Sequence, residues 1–70
     1  MTKYRTLVKT RSGLVHVGIE EEFSEIELHE RRKEYGNVGN FTFISLVTIE
    51  GIEEFIHGDD ISSVGIQKIG

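Results

Sequence analysis

The sequence predicts a mainly β (α+β) domain, on three observations. Ile and Val supply fifteen of the twenty-six apolar side chains. Both branch at Cβ, which restricts χ1 in a helix but suits a pleated surface. Alanine and proline are absent. Eight glycines punctuate the chain at intervals suited to turns.

The first element is a hairpin over "KYRTLVKTRSGLVHVGIE", residues 3–20. With Ser12 and Gly13 in a two-residue turn, Thr10 opposes Val15, Lys9 opposes His16 and Val8 opposes Val17. Side chains alternate faces along a strand. One face then carries Tyr4, Thr6, Val8 and Thr10 beside Val15, Val17 and Ile19. The other carries Lys3, Arg5, Leu7, Lys9 and Arg11 beside Leu14 and His16. A one-residue slip would mix the two sets, so the pattern favours this register.

Residues 20–36, "EEEFSEIELHERRKEYG", predict a short helix over 25–35. Ser24 and Glu27 match a capping box. Acids precede Arg31, Arg32 and Lys33, which complements the helix dipole. The competing reading is a strand paired with residues 41–50, with Ile26 opposite Ile49 and Leu28 opposite Val47. "GNVGN" is a loop and "FTFISLVTIE", residues 41–50, is the strongest strand pattern. A turn at Glu50 and Gly51 pairs Ile49 with Ile52, Leu46 with Phe55 and Ser45 with Ile56, which leaves apolar groups on both faces. "IEEFIHG" is the returning strand, and "DDISSVGIQKI" a helical turn followed by the last strand.

This order, with one short helix between strands 2 and 3, suits a small five-stranded barrel, SH3-like or Sm-like by analogy of element order. Without a repeat or linker, residues 1–70 form one domain. So short a chain buries only about 60 % of the surface its unfolded form exposes. No cysteine is present to reinforce it, so self-association as a homo-oligomer is expected. No apolar run approaches the ~20 residues of a membrane span, and no leader-like segment opens the chain. With the lack of cysteine, this predicts a soluble cytoplasmic protein.

Charge supplies the functional clue. The formal net charge is −4, yet four of the eight Lys and Arg residues fall at positions 3–11, before the first acid. Lys3, Arg5, Lys9 and Arg11, with His16, make a candidate site for an anionic ligand such as a nucleotide or nucleic acid. Guanidinium groups fork onto phosphate oxygens, and lysine adds a point charge. The bland alternative is a solvated face that discourages edge aggregation, or one neutralised by acids at 20–22 or 53–54 in an oligomer.

The alternative function uses the acids Glu20, Glu21, Glu22, Glu25, Glu53, Glu54, Asp59 and Asp60. Such a surface suits a small protein-binding inhibitor or adaptor, of phage or mobile-element type, that acts on a host protein. Solvation of a small domain explains the same acids.

No cofactor and no metal are expected. His16, His29 and His57 lack metal-ligand spacing. The serines lie in no nucleophile elbow, and the chain offers little depth to desolvate a catalytic carboxyl. An enzyme is therefore not expected. Asn40, Phe41 and Thr42 form a glycosylation sequon, without relevance absent a secretory signal. Phe41 and Phe43 on one strand face read as core or subunit interface.

Overall fold

A computed structural model describes residues 2–37, 39 and 42–70. The chain runs β1 (Thr2–Thr10), β2 (Val15–Phe23), α1 (Glu25–Gly36), β3 (Phe43–Val47), β4 (Glu53–His57), a single 3₁₀ turn (Gly58–Asp60) and β5 (Ile61–Lys68). The element order and the helix between strands 2 and 3 match the expectation. The strands form two antiparallel sheets, β2-β1-β5 and β3-β4. One bridge, Gly18 to Thr48, joins them. Among the described residues the strands do not close into a barrel.

β1 is the central strand, and its register departs from expectation at the turn. The loop has three residues, 11–13, with Gly13 at φ +95°. Thr10 N–H donates to the Leu14 carbonyl at 2.9 Å and Gly13 N–H to the Thr10 carbonyl at 3.1 Å. A left-handed residue closing such a loop is the usual glycine-bulge solution for a three-residue hairpin. The added loop residue moves the pairing by one, so Val8 opposes His16 and Lys9 opposes Val15. Val15 is consequently 53 % exposed, whereas Val8 is fully buried. A bulge between Arg5 and Leu7 moves the pairing back, and Arg5 opposes Glu20 as the expected register would place it.

The second hairpin repeats the device. Gly51 has φ +82°, and Thr48 N–H donates to the Ile52 carbonyl at 2.8 Å. In both loops a buried threonine hydroxyl accepts from the residue four positions on, Thr10 from Leu14 N–H at 3.0 Å and Thr48 from Ile52 N–H at 3.3 Å. The shared pattern is Thr-x-x-Gly followed by Leu or Ile. Again the pairing moves by one: Ile44 opposes Ile56, Ser45 opposes Phe55 and Leu46 opposes Glu54. The expected 41–50 strand is shorter than foreseen. Its Phe41, with Val38 and Asn40 of the preceding loop and sequon, lies outside the described residues.

Helix α1 has the capping box foreseen: Ser24 Oγ accepts from Glu27 N–H at 3.3 Å, and Glu27 Oε1 accepts from Ser24 N–H at 3.5 Å. It packs over one end of the inner face of β2-β1-β5. Leu28 is buried, and the Tyr35 hydroxyl lies 3.2 Å from Thr6 Oγ1. Phe23 is held between the Tyr4 ring, 5.9 Å away, and the Arg31 guanidinium, 5.1 Å from its centroid. The core proper joins Val8 to Ile44, Leu46 and Ile56, with Tyr35, Ile61 and Val64 against it. The inner faces of both sheets thus share one apolar layer, which fixes what remains outside.

Candidate functional site

The outer face of β2-β1-β5 carries the cation row, but in two unlike halves. Lys3 and Arg5 oppose Glu22 and Glu20. An Arg5 Nη lies 3.7 Å from Glu20 Oε1, and Arg5 Nε is buried without a hydrogen-bond partner. Acids do balance this end, from the strand that follows. Lys9 instead opposes Val15 on β2 and Ser63 on β5. Arg11 sits exposed in the loop, its backbone N–H donating to the Asp60 carbonyl at 2.7 Å. Within the row, among the described residues, Lys9 is the cation with no acid opposite it, while Arg11 stands across from Asp60.

His16 leaves the row altogether. The one-residue shift places it on the inner face opposite Val8. There its Nδ1 meets a carboxylate oxygen of Glu54 across the seam between the sheets. The grouping of His16 with Lys3, Arg5, Lys9 and Arg11 on one face is corrected on this ground.

The acids are divided in the same way. Glu20 answers Arg5, Glu54 answers His16, and Glu21 lies 3.9 Å from Arg31. Partial burial disfavours the Arg31 cation, but the Tyr35 hydroxyl and the charges of Glu21 and Glu34 outweigh it, so its pKa is raised. Arg31 is thereby committed to α1 and Phe23. Glu22, Glu25, Glu53 and Asp59 are exposed, and Asp60 is half-buried in the 3₁₀ turn.

A groove of about 460 Å³ runs between the C-terminal end of α1 and β5. Arg32, Tyr35, Ser62, Ser63, Val64 and Ile66 line it, with no His, Asp or Glu among its described lining. His29 and His57 are exposed. Among the described residues no three His, Asp or Glu side chains converge as metal ligands. No helix there is long and apolar enough to cross a membrane.

The clearest surface feature is the outer face of β3-β4, whose membership follows from the shifted register. Phe43, Ser45, Val47, Glu53, Phe55 and His57 share it. Phe43 is 57 % exposed and Phe55 60 % exposed, and their rings meet edge to face at 5.5 Å. Paired aromatics prefer this geometry, which holds both rings in place. From residue 34 to 67 the chain contains six acids and no Lys or Arg. Glu53 is exposed on this face, and Arg31 and Glu34 of α1 share a cleft with Phe43 and Ser45. The two-residue turn reading had put Phe55 beside Leu46, so it assigned Phe55 to the wrong face.

Comparison with protein-family models, with characterised proteins and with solved structures found no significant match.

Proposed function

We propose that the chain is a non-enzymatic binding module, built on an open SH3-like arrangement of its five strands and working as a homo-oligomer. Its principal surface is the outer face of β3-β4. The carrying observation is the exposed, edge-to-face pair Phe43 and Phe55 beside Val47. Contiguous exposed apolar groups of this kind mark protein contact, and aromatic side chains dominate binding energy at such contacts. The occupant is a protein surface with an apolar anchor and a basic rim. Exposed Glu53 on the face and Glu50 at its tip give that rim its sign at the hairpin end, away from Arg31 beside Phe43.

Selection of displayed peptides on the wild-type chain tests this, with F43S/F55S as the counter-screen. Enriched peptides should carry an aromatic or aliphatic anchor flanked by Lys or Arg and should lose at least about tenfold in affinity on the variant. Peptides that bind both proteins equally, or no enrichment, would sink the reading.

A second reading, an anionic ligand such as a nucleotide, contracts to Lys9 and Arg11. Their support is exposure, with no acid opposite Lys9 on either neighbouring strand. Titration with inorganic triphosphate checks it: equal heats with wild type and K9E/R11E would remove it.

A further inference from the structure

The two hairpin tips lie side by side. Val15, Val17, Ile49 and Glu50 line one groove of about 200 Å³ between them, together with Thr48 and the His16 and Glu54 pair. Val15 and Ile49 are 53 % and 63 % exposed, and Leu14 and Ile52 of the same two hairpins are also exposed. Lys9 is the cross-strand neighbour of Val15, and Arg11 stands in the adjoining loop. A single strip therefore runs from cations, through an apolar middle, to the Glu50 carboxylate.

We propose that this strip is a self-complementary contact between two copies of the chain. A two-fold axis through the apolar middle sets Val15 and Ile49 of one copy against those of its partner. The same operation brings Lys9 and Arg11 of each copy to Glu50 of the other, because a two-fold contact uses one patch twice, head against tail. Opposite signs at the two ends of the strip are what such an axis requires, and like charges would meet under a contact that kept the ends aligned. A stable interface takes roughly 800 Å² per partner, about a sixth of this chain's 4911 Å², and the exposed Leu14 and Ile52 extend the apolar area available to it. The dimer also supplies the apolar burial that a 70-residue domain without cysteine lacks.

The strip is distinct from the Phe43 and Phe55 face, so this proposal and the protein-docking reading can fail separately. Sedimentation equilibrium of the full chain decides it, with wild type, K9E, E50K and the charge-swapped K9E/E50K. Wild type should dimerise at micromolar concentration, each single variant should weaken dimerisation by about tenfold, and the swap should recover most of that loss. About 0.5 M salt should narrow the differences. Circular dichroism checks folding, which these exposed positions leave intact, and V15S/I49S should give a folded monomer. A monomeric wild type at about 0.2 mM, single variants that dimerise normally, or a swap weaker than both singles each overturns the contact. A monomer that binds triphosphate through Lys9 overturns it in favour of the anionic ligand.

Discussion

His16 on β2 and Glu54 on β4 form the side-chain hydrogen bond that ties the three-stranded sheet to the two-stranded one. Beside it the only ladder contact between the sheets is the Gly18 to Thr48 bridge, among the described residues. Both side chains are partly buried, so the pair is shielded more than a surface bridge. Glu54→Ala should cost about 1–2 kcal/mol, and Glu54→Gln about half as much, since the amide can still accept a hydrogen bond. Thermal unfolding of H16A, E54A and the double variant measures the coupling. Strict additivity would mean that the pair contributes nothing.

Gly13 and Gly51 each close a three-residue loop at positive φ. Alanine there meets no atom within 4 Å, so the penalty is purely of backbone. Each substitution should cost about 1–2 kcal/mol. Gly65→Ala, also free of contacts but at an ordinary φ, should be neutral or slightly stabilising. Urea midpoints for the three variants separate the cases.

Gly18 is restricted by space instead. A Cβ there would lie 3.0 Å from Leu46 Cδ1 and 3.2 Å from the Thr6 carbonyl. Gly18→Ala should therefore destabilise by about 1–3 kcal/mol and loosen the bridge to Thr48. Hydrogen exchange at residues 46–48 should accelerate in this variant, and unchanged exchange would place the sheet junction elsewhere.

Arg5 and Lys9 should separate by charge reversal, although they share a strand face. Arg5→Glu sets like charges against Glu20 and should cost up to about 1 kcal/mol, recovered in R5E/E20R. Lys9→Glu opposes only Val15 and Ser63 and should change stability by less than about 0.5 kcal/mol. Denaturant titration of the variants checks both. Only Lys9→Glu is then a clean probe of ligand or subunit binding.

Local chemistry made much of the architecture legible. Ser24 and Glu27 announced the helix, because a capping box needs only four consecutive residues. The valine and isoleucine strands and the turn before Ile61 followed from equally short-range patterns. The loop lengths were legible too, in principle. Thr10 to Leu14 and Thr48 to Ile52 repeat one Thr-x-x-Gly pattern, whose threonine hydroxyl serves the bulge. Reading Ser12-Gly13 and Glu50-Gly51 as two-residue turns overlooked it.

The candidate site was less legible, because it depends on which face each side chain takes. In a strand one loop residue reverses that assignment completely. It moved His16 inward to Glu54, turned Val15 outward beside Lys9, and put Phe55 on the solvent face with Phe43. The bulge near Thr6 then restored the register and brought Glu20 to Arg5. Sequence by itself determined the elements, their order and the separation of charge along the chain. Tertiary structure alone decided which charges cancel and which apolar groups stay exposed, since pairing across strands joins residues that periodicity within one strand cannot align.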